Sequence, residues 1–162
     1  ADNFLRDIVK DIEATVRKAA RVQLTPAVRL NLTSDVRWEL IEVTVRGVTY
    51  PNLMAAFPTV QFYDYTKSPE RMTAFLASEM PQNYHLTFSK SETNGAIAES
   101  ILKSGGNVAM VFRKSLPSKW LGAEVVNGDE TDLRFLDGAG KIIGLVEKGK
   151  AKKDESGFVI EH

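Results

Sequence analysis

The chain predicts an α/β fold: a mostly parallel sheet with helices on one face, partial (β/α) barrel-like, followed by an antiparallel β extension. Strand-like and helix-like segments alternate along most of it. Three strands open at equal intervals of 24 residues, at Val60, Tyr84 and Val108 (84 − 60 and 108 − 84). After Arg113 the alternation gives way to short strands and turns. Such alternation argues for parallel strands joined by right-handed crossovers. One domain is expected over 1–162, with 1–113 as the repeating part and 114–162 as a β-rich extension and tail.

The segment from Asn3 to Val22 reads as an amphipathic helix, because Phe4, Leu5, Ile8, Val9, Ile12, Val16, Ala19 and Ala20 recur at helical spacing. Asp2 or Asn3 is its expected cap, and Lys18 and Arg21 suit the negative end of its dipole. Strands are expected at Val28–Ser34, Val60–Thr66, Tyr84–Ser89 and Val108–Phe112. Helices are expected at Asn52–Phe57, at Pro69–Ser78 with a proline in the first turn, and at Thr93–Lys103 before Gly105-Gly106. Glu42–Val48 reads as an inserted extended arm. Beyond Arg113, Trp120–Asn127, Leu133–Asp137 and Ile142–Glu147 read as strands, with a hairpin turn at Asp137-Gly138-Ala139-Gly140. The charged tail Lys148–Ser156 reads as mobile, with Phe158-Val159-Ile160 able to dock as a last strand.

Composition narrows the function classes. Hydrophobic residues make up 43 % and charged residues 26 %, enough for a packed core. Lys+Arg and Asp+Glu each total 21, so the basic excess of a nucleic-acid-coating protein is missing and nucleic acid is not favoured as a partner. No apolar run reaches the roughly 20 residues a membrane helix needs. Ala1-Asp2-Asn3-Phe4 lacks the regions of a secretory signal, so the cytoplasm is the expected location. With no cysteine, an iron–sulfur cluster cannot be built from this chain, and the cofactor is unknown.

Side chains alternate along a strand. By that rule Asn31, Thr33, Asp64, Thr66, His85, Thr87 and Ser89 share a face opposite Leu30, Leu32, Leu86 and Phe88. Ligands favour the carboxyl ends of parallel strands. Those ends place Ser34-Asp35, Thr66-Lys67, Ser89-Lys90-Ser91-Glu92 and Arg113 along one rim. The candidate base is Asp64 or His85, and the candidate ligand contacts are Asn31, Asp35, Lys67, Ser89, Ser91, Glu92 and Arg113. A solvated face with ordinary loop polarity is the bland alternative.

Other motifs carry less. Gly138-Ala139-Gly140-Lys141 precedes a strand, whereas a phosphate cradle needs a helix amino terminus. His85 has no second ligand at metal spacing, so no metal site is assigned. Asp129, Glu130 and Asp132 offer oxygen atoms but lack the spacing of a calcium loop. Ser91 or Thr93 is expected to cap the helix that follows.

The segments VRLNLTSDVRWE (28–39), FPTVQFYDYTKSPERM (57–72), NYHLTFSKSETN (83–94), NVAMVF (107–112), NGDETDLRFLD (127–137) and GLVEKGKAKKDESGFV (144–159) resemble, in order, a family of phage- and plasmid-encoded proteins of the gene product eighty-eight type. The resemblance implies a mobile-element origin and no stated biochemistry. Longer members of the family carry a cysteine-rich segment reminiscent of radical-SAM barrels, so this chain is similar to the second part of such a protein or to a cysteine-free form.

Two functions remain open. The first is a small-molecule- or nucleotide-binding half-barrel, enzymatic or not, with its polar site at the strand ends. The second is a non-catalytic module that binds a host or phage protein, or a second copy of itself in a homodimer that pairs open strand edges.

Overall fold

The computed structural model describes residues 2–162, a mixed α/β fold on a mostly parallel eight-stranded sheet with no closed barrel. Its first element is the helix α1 (Asp2–Arg21). Asn3 lies inside this helix, and the expected cap on the Asp2 side chain lies outside the described residues. A strand β1 (Ala27–Arg29) and an antiparallel hairpin, β2 (Val43–Val45) with β3 (Val48–Tyr50), follow. The inserted arm is therefore a hairpin. Its turn residues Arg46 and Gly47 have φ of +50° and +79°, the left-handed pair that a tight two-residue hairpin turn demands.

The repeating part then runs α2 (Leu53–Ala56), β4 (Gln61–Thr66), α3 (Pro69–Leu76), β5 (Tyr84–Ser89), α4 (Gly95–Lys103) and β6 (Val108–Phe112). Local chemistry sets the helix starts. Asn52 Oδ1 accepts the Ala55 N–H at 2.9 Å, and Ser68 Oγ accepts the Arg71 N–H at 3.3 Å with Pro69 at the first position. α4 begins two residues later than Thr93. Neither Ser91 nor Thr93 caps it, because Ser91 Oγ accepts the Thr93 N–H at 3.4 Å and closes a separate turn.

The extension contains β7 (Lys119–Trp120), β8 (Ala123–Asn127), β9 (Ile142–Val146) and β10 (Val159–Ile160). The sheet order is β1-β4-β5-β6-β9-β8-β7, with β10 also on β6. β7 and β8 are antiparallel, whereas β9 runs parallel to both β6 and β8. The expected hairpin at Asp137–Gly140 is therefore corrected: the turn feeds a parallel strand, held by Asn107 through Gly138 O (2.6 Å) and Lys141 N (2.9 Å). Leu133–Asp137 is corrected too. It winds into a 3-10 turn at Arg134–Leu136, with the Arg134 side chain fully buried beside Asp137 at 3.3 Å. The single strand expected at Trp120–Asn127 breaks at Leu121-Gly122, whose φ values of +50° and +78° make a second tight turn.

Two compact units compose the fold, one of residues up to 64 with 80–85, the other of 65–79 with 86–162. In the first, Ile12, Trp38, Val43, Leu53, Met54, Val60 and Phe62 form the apolar interior. In the second, Met72, Leu86, Phe88, Val108, Met110, Phe112, Ile142 and Ile143 do so. Each such side chain contributes about 1.5–3 kcal/mol by leaving water.

β6 takes partners on both edges. β9 pairs along its whole length, from Val108 opposite Ile142 to Phe112 opposite Val146. On the other edge β5 pairs only at Val108 and Ala109, and β10 takes over at Val111 and Phe112. The carboxyl half of that edge is thus filled by the last strand of the chain.

Candidate functional site

Asp64 organises the polar residues of the first unit. It is fully buried, and its Oδ1 accepts the N–H groups of Leu30 (3.1 Å) and Asn31 (2.7 Å). Its Oδ2 accepts the Tyr84 hydroxyl at 2.5 Å and Asn31 Nδ2 at 3.3 Å. Asn31 Oδ1 in turn accepts from Ser34 Oγ (2.9 Å), Val36 N (3.2 Å) and Trp38 Nε1 (3.0 Å). This explains why β1 stops at Arg29 rather than reaching Ser34: the next two N–H groups go to a carboxylate instead of a strand ladder. It also corrects the alternation. Asn31 is buried and Leu32 is 77 % exposed, the reverse of a polar face turned to solvent. Thr66 and Thr87 are buried as well. Asp35 is exposed on the loop that this network holds, and His85 is half-buried on β5.

In the second unit Ser89 ends β5, and Ser91 and Glu92 lie on the loop after it, with Ser91 buried and Glu92 exposed. Asn94 locks that loop, its Oδ1 accepting the Ser91 N–H at 2.6 Å and its Nδ2 donating to Ser89 O at 3.1 Å. Lys90 bridges from the loop to the tail, donating to Ser91 O (3.1 Å) and Gly157 O (2.9 Å). Burial pulls its pKa below the ordinary lysine value, against the opposing pull of Glu92 and Asp154. Lys67 is exposed at the end of β4.

Arg113 ends β6. Its Nε donates to Glu161 Oε1 at 2.7 Å, Nη1 to Lys152 O at 2.9 Å, and Nη2 to Asp154 O at 2.7 Å. The bond to Glu161 raises its pKa further. Asp154 is held below the usual carboxylate range, first by Ser156 Oγ and then by the Val159 N–H. The tail is therefore not a loose run of charge: 149–153 forms a 3-10 helix, and β10 docks as expected from Phe158-Val159-Ile160. A cleft of about 660 Å³ opens here, lined by Arg113, Lys152, Lys153, Asp154, Glu155, Gly157, Val159 and Glu161.

Of the candidate residues, Asn31 and Asp64, expected on the strand face, meet in one buried network; of those expected on the rim, Ser91 and Glu92 share the loop that leaves β5 at Ser89, and Arg113 lines the cleft. Gly157 and Glu161 were missed, and Lys152 and Asp154 belong to a basic stretch (Lys141, Lys148, Lys150, Lys152, Lys153, diluted by Asp154 and Glu155) that reads in sequence as a solvated tail able to touch phosphates. The signal for them was the docking potential of Phe158-Val159-Ile160, since a tail that docks must carry its polar neighbours with it. The acidic turn is self-braced: Asp129 accepts from Lys148 Nζ at 2.6 Å and Val146 N at 3.2 Å. Lys148 keeps the Asp129 pKa low. Among the described residues, no group of three His, Asp or Glu side chains is arranged to hold a metal ion.

No helix among the described residues is long and apolar enough to cross a membrane. No curated protein and no solved structure matches the chain. The family model of gene product 88 matches residues 1–162. The chain belongs to the gene product 88 family of phage proteins.

Proposed function

We propose that the chain is a small-molecule-binding module whose site is the cleft at the carboxyl end of β6. The observation that carries this reading is the meeting there of a cleft of about 660 Å³ with the Arg113 guanidinium. Ligand sites typically have volumes of roughly 300–1,000 Å³, and parallel sheets bind ligands beyond the carboxyl ends of their strands. The reading assigns no reaction: Asp64 and Asn31 serve as scaffold, and Ser89, Ser91 and Glu92 shape the loop that Lys90 ties to Gly157. A thermal-shift panel of nucleotides, sugar phosphates and small carboxylic acids tests it. A ligand at 100 times its dissociation constant adds about 2.7 kcal/mol, roughly 5–10 °C for this size. The expected result is a shift that Arg113→Ala abolishes. No shift from any member of the panel would sink the reading.

The second reading, a module that binds a protein partner, draws on the first unit. Phe4, Leu24, Leu32 and Leu40 are 63–77 % exposed there. Homodimer formation through sheet edges is a version of it, and the outer strands β1 and β7 offer three and two residues for pairing. Sedimentation as a strict monomer would remove that version.

A further inference from the structure

We propose, resting on the binding reading above, that the cleft takes a small oxyanion, a carboxylate or phosphate group, on Arg113, and that Glu161 holds its place until the ligand arrives. Two of the three acceptors on Arg113 are main-chain carbonyls, those of Lys152 and Asp154. They fix the plane of the guanidinium without cancelling its charge. The third, at Nε, is the Glu161 carboxylate at 2.7 Å. The two partners of this ion pair are unequally built in: the Arg113 side chain is 17 % exposed and that of Glu161 72 %. The cation belongs to the wall of the cleft, while the anion reaches it from the surface.

An external carboxylate or phosphate would make the same charge-assisted bond that Glu161 makes. Exchange costs little on the Glu161 side, because that carboxylate is exposed and returns to water when it is displaced. Lys152 and Lys153 line the same cleft and add positive charge. Of its acidic residues, Asp154 is turned into its own loop, Oδ1 accepting from Ser156 Oγ (2.6 Å) and Oδ2 from Val159 N (3.0 Å). Glu155 is exposed to solvent. Glu161 is therefore the carboxylate that an incoming anion must displace.

The test follows the arginine Nε–Hε signals of the full ¹⁵N-labelled chain during titration with inorganic phosphate and, separately, with acetate. Wild type and Glu161→Gln are compared, and Arg113→Lys assigns the signal. The expected result is a saturable movement of the Arg113 signal, with the apparent dissociation constant lowered roughly two- to fivefold in Glu161→Gln. A response to only one probe names the group. Equal affinity in the two proteins would overturn the place-holding role of Glu161 and leave anion binding intact. An Arg113 signal that neither probe moves in either protein would overturn the anion assignment, and the same thermal-shift measurement with uncharged sugars and nucleosides then decides whether a neutral ligand sustains the binding reading.

Discussion

At the scale of the residue, Asp64 stands out. A carboxylate in the middle of QFYDYT is legible in sequence as a special position. What alternation could not tell is which way it faces, because a face lined with hydrogen-bond donors buries a carboxylate as readily as water solvates it. The donors come from Leu30, Asn31 and Tyr84, 20 to 34 residues away in the chain. Only folding assembles them. Tyr84→Phe removes one donor to a buried charge while keeping the ring, so a loss of about 1.5–3 kcal/mol is expected. Urea unfolding measures it. A change within about 0.5 kcal/mol, the range of an ordinary surface substitution, would take the hydroxyl out of the network.

At the scale of the element, β5 and β6 fall where the sequence places them, Tyr84–Ser89 and Val108–Phe112, since both are unbroken runs bounded by turn residues. The extension is read less well. Leu133–Asp137 (LRFLD) looks like a strand with two polar positions, and nothing local says that the Arg134 guanidinium will be buried against Asp137. Burial raises the Asp137 pKa and Arg134 lowers it. β9 is legible as a strand, but its parallel pairing with both β6 and β8 is not, because turn glycines that suit a hairpin also suit a loop. That pairing leaves Gly144 no room: a Cβ would lie 2.6 Å from Val125 Cγ1 and 2.9 Å from Leu116 Cδ2. Gly144→Ala is expected to cost about 1–3 kcal/mol, the range for overpacking a filled interior. Chemical denaturation checks it, and a neutral result would show that Val125 and Leu116 yield freely.

At the scale of the molecule, neither compact unit is a continuous segment. The chain passes between them after Asp64, Glu79 and His85, twice within strands. We infer that the two units unfold together as one domain, as the sequence suggests. The two tryptophans allow a direct reading, because Trp38 belongs to the first unit and Trp120 to the second. Trp120→Phe leaves a reporter in one unit and Trp38→Phe leaves one in the other. Within each variant, the remaining tryptophan's fluorescence is expected to share a single denaturation midpoint with far-ultraviolet circular dichroism. Separated midpoints would show independent units.

The partners of β6 also bear on how the chain survives its own synthesis. Growing from the amino terminus, it lays down β1, β4, β5 and β6 in the order they occupy in the sheet. At that moment β6 lacks β9, and half of its opposite edge still awaits residues 159–160. An apolar run, VAMVF, is then an exposed edge on the ribosome, the kind of surface on which nascent chains stick to one another. The hazard is retired only when β9 and then β10 have emerged and paired with β6.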